Sequence, residues 1–392
     1  MKILLFSDIT LPDSCALATR VINFAKILKE LGHDIKLLGV SYFKDKPLSD
    51  SYDGIEFEML KARPWTGIKT YRRIRQLEKD AKKYLDEHSK NGSYDAILLS
   101  NVYYDLSKVF LKYSKQHGCK LIVNSVEWYE KNNVKFDGIF GKIKYLKNRI
   151  ALKNIHVKMG NIIAISSLLA DYYKKRGCNT VTIPTIIDMG EYKAVNSLQK
   201  GVDSKLHIAY AGDPGRKDYV VNAMYALELL SEQERARIKL DFYGTTYEKL
   251  YANGLSHEYI EKFKDNIICH GRIPYEQVKE KIFEADFTVL LRPQMRYANA
   301  GFPTKVGESM ACGTPVICNI TSDLGKYVID GKTGIICEDE SPEACAKAFR
   351  KALNLTSEQK EQMRKNTYSG ALSWFDYSVY SQDMKKFLEV LI

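Results

Sequence analysis

Short runs of Ile, Val and Leu recur along this chain, separated by longer amphipathic stretches, and that alternation constrains the fold more than any other feature. Lys2–Ser7, Asp34–Val40, Asp95–Asn101, Lys120–Asn124 and Asn161–Ser166 read as strands apolar on both faces, with a helix-like Thr19–Leu31 in the first interval. Strands buried on both faces need helices above and below them, which is the pattern of a parallel sheet with crossover connections. The first crossover ends at Gly32, where a helix needs a left-handed residue before the next strand. A second series starts at Leu206–Gly212 and continues through Ile238–Tyr243, Asn266–His270, Asp286–Leu291, Thr314–Asn319 and Thr333–Cys337.

Between the two series, residues 191–204 are polar and unpatterned, and 392 residues exceed the roughly 250–300 at which one core usually splits. The expected architecture is therefore α/β with two Rossmann-like, doubly wound parallel-sheet domains facing a central cleft. Residues 1–190 form the first, 205–374 the second and 191–204 the linker, with a last helix at about 375–392 crossing back. Ligands of such sheets bind at the carboxyl ends of the strands.

Composition narrows the partners. A formal net charge of +11 suits nucleic acid, an anionic membrane or phosphorylated small molecules, and the absence of a recognised nucleic-acid motif disfavours the first. Eight cysteines lie far apart without a Cys-x-x-Cys pair, which suggests neither a disulfide framework nor a zinc site. No metal or cofactor is expected. The amino terminus has too short an apolar run for a signal peptide, and no later run approaches the ~18 apolar residues of a membrane span. The protein is expected in the cytoplasm. Two segments, 63–75 and 142–150, interleave Lys and Arg with Trp, Tyr, Ile and Leu, which fits either peripheral contact with the anionic inner face of the membrane or a solvated helix face.

The most informative stretch is Gly301-Phe302-Pro303-Thr304-Lys305-Val306-Gly307-Glu308-Ser309-Met310-Ala311-Cys312-Gly313-Thr314-Pro315-Val316-Ile317. A Gly-led loop enters a short helix near Lys305, Gly313 caps its end, and Thr314-Pro315 restarts a buried strand. The helix start offers unpaired N–H groups and the positive end of a dipole, which suit a diphosphate. One turn on, the Glu308 carboxylate is placed to accept hydrogen bonds from ribose hydroxyls.

This segment resembles the donor-binding signature of retaining glycosyltransferases of the GT-B fold, glycosyltransferase family 4. Tyr327-Val328-Ile329-Asp330-Gly331-Lys332-Thr333-Gly334 is similar to that family's ending, and the resemblance runs nearly continuously from Ala209 to Glu338. It implies transfer of a sugar, with retention, from a nucleotide-sugar to a glycan or lipid-linked glycan, in surface polysaccharide synthesis. It also implies that Glu308 contacts the ribose, that Lys217 grips the donor diphosphate with Arg216 sharing the task, and that the loop with Arg272 faces the base. Gly212, Gly301, Phe302, Thr304 and Lys305 complete the implied donor site.

The departures are specific. Eight residues before Glu308 the family's first glutamate is replaced by Ala300, Pro303 stands at a common glycine position, and Cys15-Ala16 stand where Gly-Gly is frequent. These changes leave open a modified sugar pocket or a catalytically silent nucleotide-sugar-binding partner. Glu127, after the Lys120–Asn124 strand, is a candidate to orient or deprotonate the acceptor hydroxyl, or else a solvated loop carboxylate beside Trp128. His33, at a helix-to-strand turn, reads as structural; His270 stays open. A nicotinamide-dependent oxidoreductase is disfavoured, because Ile9–Cys15 replaces the Gly-x-Gly-x-x-Gly of a dinucleotide fold.

Overall fold

The computed structural model describes all residues except 13–14, 44–46, 64–68, 131–137, 199–200, 202–204, 216 and 392. The chain divides into two compact units, residues 1–186 with 377–392, and residues 187–376. Each is a parallel sheet covered by helices.

In the first unit the strands are β1 (Lys2–Ser7), β2 (Asp34–Ser41), β3 (Ser49–Tyr52), β4 (Ile55–Lys61), β5 (Ala96–Ser100), β6 (Lys120–Ser125), β7 (Asn161–Ala164) and β8 (Asn179–Thr182). They lie in the order β3-β4-β2-β1-β5-β6-β7-β8, and all pairs are parallel except the β3/β4 hairpin. The Ala16–Glu30 helix lays Val21, Phe24, Ala25 and Leu28 on one face, against Ile3 and Leu5 of β1 and Leu98 of β5. The i, i+3, i+4, i+7 spacing of those residues is what makes the segment a helix with one buried stripe. On the other face the Phe6 ring packs on Phe110 of the Tyr104–His117 helix at 4.8 Å. Gly32 (φ 81°) ends the first helix, with Gly32 N–H donating to Lys29 and His33 N–H to Leu28, the paired bonds of a Schellman cap.

The same helix holds the point where the chain leaves this unit. Arg20, 3% exposed, donates to the carbonyls of Ile183 and Pro184 and to Asn124 Oδ1 at 3.1 Å, and Asn23 donates to Ile186 O at 3.0 Å. No carboxylate pairs with this guanidinium in those bonds, and burial pulls its pKa down to about 9. The terminal turn Tyr377–Tyr380 and helix Ser381–Glu389 also belong here, with Met384, Phe387 and Leu388 in the core.

The second unit contains β9 (Leu206–Ala211), β10 (Ile238–Tyr243), β11 (Ile267–Gly271), β12 (Phe287–Leu290), β13 (Val316–Asn319) and β14 (Gly334–Cys337), in the all-parallel order β11-β10-β9-β12-β13-β14. Part of the polar segment read as a linker is ordered structure of this unit. Met189–Tyr192 and Lys193–Asn196 are helical turns, and Asn196 Nδ2 donates to Ala311 O at 2.8 Å. Among the described residues no helix is long and apolar enough to cross a membrane.

Candidate functional site

In the second unit left-handed glycines stand at the ends of three neighbouring strands, at the carboxyl edge of the sheet. Gly212, Gly244 and Gly271 end β9, β10 and β11 with φ of 124°, 85° and 66°. At Gly244 a Cβ would stand 3.0 Å from Gly212 Cα, so this position needs glycine for close approach as well as for φ, and at Gly212 a Cβ would take the space now filled by the Lys305 stem. The Thr304–Ala311 helix opens at the same edge. Ser309 Oγ, 2.7 Å from Thr288 Oγ1 and donating to Thr314 O at 2.8 Å, ties it to β12 and to the start of the next strand, and Gly313 (φ 67°) closes it with a second Schellman cap.

Lys305 occupies the first turn of that helix. Its Nζ lies 2.7 Å from Asp218 Oδ2 and 5.1 Å from the centre of the Tyr210 ring. Asp218, 6% exposed, also receives Arg292 Nε at 2.7 Å on Oδ1 and Tyr210 OH at 2.8 Å on Oδ2. Burial alone would raise this carboxyl, but the two cations outweigh it and its pKa is lowered. Lys217 adjoins Asp218 in the loop after β9, half-buried, while Arg216 lies outside the described residues. The edge thus joins a helix start, Gly212, Lys305 and the Lys217 loop.

Glu308 lies one turn into the helix, half-buried, and desolvation raises its carboxyl above 4.5 despite Lys305 and Lys279 nearby. Two phenols, Tyr192 and Tyr275, face it, 3.3 Å apart at their hydroxyls. Arg272 is exposed just past the end of β11, two strands from β9. The Phe302 side chain is placed differently from a ligand contact. It is 5% exposed, with its ring 5.4 Å from Tyr327 and 5.8 Å from Phe375, so its side chain belongs to the core and only its backbone can face a ligand. Gly301 has φ −85°, a conformation open to any residue. Ala300 is fully buried at the end of the Arg296–Ala300 turn, so the position where the resemblance would place a glutamate holds a packed methyl group.

In the first unit Glu127 follows β6 and lines a cavity of about 50 Å³ with Asn101, Tyr103, Tyr129 and His156. Tyr129 hydrogen-bonds to Glu127, and burial raises the phenol's pKa. His156 is held neutral, its pKa pulled to about 4 by burial. Beside this pocket lies a group that sequence reasoning missed. Asp8, at the end of β1, accepts a hydrogen bond from Tyr42 OH, and the Arg73 guanidinium sits over the Tyr42 ring at 5.3 Å. Burial raises the Asp8 carboxyl, opposed by Tyr42, Arg73 and Lys144. The only sequence signal was Ser7-Asp8 at a strand's carboxyl end.

His33 Nδ1 lies 3.3 Å from the amino-terminal nitrogen, within the first unit. His270 and His207 both meet the fully buried Asp241 at 2.5 Å, with Lys239 at 3.1 Å, and these partners hold the Asp241 pKa well below 3.8. His270 also stacks on Tyr243 at 4.5 Å. This Asp-centred group ties β9, β10 and the edge strand β11 together. Among the described residues no set of three or more His, Cys, Asp or Glu is placed to hold a metal ion.

Residues 197–370 match the family model described as Glycosyl transferases group 1. Two uncharacterized glycosyltransferases of Methanocaldococcus jannaschii are similar to the chain. One is 22% identical over 272 residues, 66% of each protein, and the other 29% identical over 137 residues, 32% of this chain and 36% of that one. The chain therefore spans just under two thirds of the first relative and about a third of the second. Among solved structures, sucrose-phosphate synthase from Thermosynechococcus elongatus superposes with a TM-score of 0.71 at 17% identity, over 100% of this chain and 99% of that one. Anabaena HepE in complex with UDP and glucose gives 0.69 at 15% identity, over 100% of both chains. A UDP-forming α,α-trehalose-phosphate synthase from Burkholderia xenovorans gives 0.72 at 10% identity, over 99% and 100%. Two parallel-sheet α/β units with these neighbours define the GT-B fold, and the group 1 match lies within the second unit.

Proposed function

We propose that this protein transfers a sugar, with retention and in the manner of glycosyltransferase family 4, from a nucleotide-sugar to a glycan or lipid-linked glycan of a surface polysaccharide. The observation that carries this reading is the start of the Thr304–Ala311 helix, where Lys305 lies against Gly212 at the carboxyl edge of the second sheet. Helix N–H groups and an ammonium are suited to a diphosphate. Solved structures of the neighbour Anabaena HepE with UDP and with UDP-glucose support that donor class.

In this reading the bond between the sugar carbon and the diphosphate oxygen breaks, and its electron pair stays on the diphosphate. Lys305, Lys217, Arg216 and the helix start stabilise that charge, so no metal is required. Glu308 holds the ribose, and the loop with Arg272 faces the base. The acceptor hydroxyl attacks from the face the diphosphate leaves, and Glu127 orients it and takes its proton. A contact with the inner face of the membrane is part of the proposal, because the two basic segments meet. Lys147 Nζ pairs with Asp105 at 2.8 Å and lies 5.3 Å from the Tyr71 ring, beside the exposed Ile143 and Leu146.

A second reading, a catalytically silent nucleotide-sugar-binding subunit, is favoured by the buried Ala300 alone. Thermal-shift screening against nucleoside diphosphates and their sugars tests the first reading, since one base should raise Tm selectively. No stabilisation by any of them removes the donor site. Binding without release of sugar to water or to any glycan acceptor supports the silent subunit.

A further inference from the structure

We propose that Asp218 is a positioning residue for the donor: it fixes Lys305 so that one face of the ammonium is presented to the diphosphate, an inference that rests on the donor reading above. Asp218 accepts from Lys305, Arg292 and Tyr210, which leaves its carboxylate no direction to turn. These partners come from distant parts of the second unit, namely Tyr210 on β9, Arg292 past β12 and Lys305 on the helix, and Asp218 itself sits in the loop after β9.

Two arrangements would leave Asp218 beside Lys305 in the empty protein. In one, the carboxylate is a competitor that the diphosphate displaces. In the other, it is a fixed support. Exposure decides between them, because the Asp218 side chain is 2% exposed while that of Lys305 is 25% exposed. A buried carboxylate also bonded to Arg292 does not swing away, whereas the open side of the ammonium still has hydrogen to donate. Charge points the same way: Lys305 and Arg292 share the Asp218 carboxylate, so this one group does not neutralise both. The lysine stem passes where a Cβ on residue 212 would stand, in space that Gly212 leaves open.

The test is a double-mutant cycle of Asp218→Asn and Lys305→Met, read by calorimetry with UDP, GDP and ADP and with the matching nucleosides. Asp218→Asn should weaken the preferred diphosphate about tenfold and leave its nucleoside unchanged, and in the Lys305→Met background the same change should have less than about a twofold effect. Tyr210→Phe, which removes one hydrogen bond without stranding Arg292, covers the case in which Asp218→Asn does not fold; a loss of about threefold that vanishes in the Lys305→Met background is expected. Additive effects, or tighter diphosphate binding by Asp218→Asn, overturn the positioning role and leave the donor reading standing. Failure of the unaltered protein to bind any of the three diphosphates removes both.

Discussion

The two sheets share the order of their central parallel strands, and their carboxyl edges carry opposite chemistry. In the second unit, glycines end three strands, a helix opens with Lys305, and the local carboxylate Asp218 is outnumbered by cations. In the first, Asp8 and Glu127 stand among Tyr42, Tyr103 and Tyr129, and burial raises the Asp8 carboxyl. Shared topology fixes where loops converge, and the residues on those loops fix what they bind. A cationic edge with a helix start suits an anion that must depart with charge. An edge of carboxylates and phenols suits neutral hydroxyls that must be oriented and deprotonated.

Removing the cations should have the largest effect. Lys305→Ala and Lys217→Ala should each lower transfer by about 100- to 1000-fold, the cost of losing a donor aimed at developing negative charge. Both should weaken nucleoside diphosphates in calorimetry. If either lysine can go with transfer intact, the second edge is not where the leaving group sits. Glu127→Gln probes the other edge, where loss of a general base should cost about 100-fold in kcat without altering diphosphate affinity. A variant that instead lost diphosphate affinity would break the division of labour between the two edges.

How much of this was readable beforehand depended on burial. Central strands such as β1 and β5, buried on both faces, are visible as unbroken apolar runs, whereas β3, β4 and β8 at the sheet margins are not. β4 alternates buried Ile55, Phe57 and Met59 with outward Glu56 and Glu58, and the hairpin turn at Asp53-Gly54, with φ of 51° and 71°, had its signal in the Asp-Gly pair. The local structure of residues 301–319 was legible because helix start, cap and strand are contiguous. Asp218, Arg292, Asp8, Tyr42 and Arg73 were not, because strand order alone brings each group together and no spacing in the sequence encodes it. Phe302 lies inside the motif and its ring packs inward, an orientation that the motif does not reveal.

That inward ring yields the next expectation. Phe302→Ala should destabilise the protein by about 3 kcal/mol, as truncation of a core aromatic usually does, and the loss should appear as a lower Tm in denaturation experiments. The nucleoside diphosphate affinity of the folded fraction should change less than for Lys305→Ala. The reverse ranking would return the Phe302 side chain to the ligand.

Glu308 gives the smallest effect and separates binding from stability at a single atom group. Its folded pKa is raised above the ordinary 4.5 by desolvation, so the folded protein holds this proton more tightly than the unfolded chain. The stability cost is absent below about pH 4.5, grows as pH rises from there through the folded value, and stays constant above it. Glu308→Gln removes the charge that incurs it. At pH 7.5 the variant should be more stable by about 1 kcal/mol, with the gap closing near pH 4, the usual sign of a residue retained for function at the expense of stability. Its affinity for nucleosides should fall several-fold, because ribose hydroxyls lose an ionised acceptor. A variant no more stable at pH 7.5 would mean that the Tyr192 and Tyr275 side of the pocket already satisfies the carboxylate. Undiminished nucleoside binding would remove the ribose from this end of the helix while leaving the diphosphate site beside Lys305 untouched.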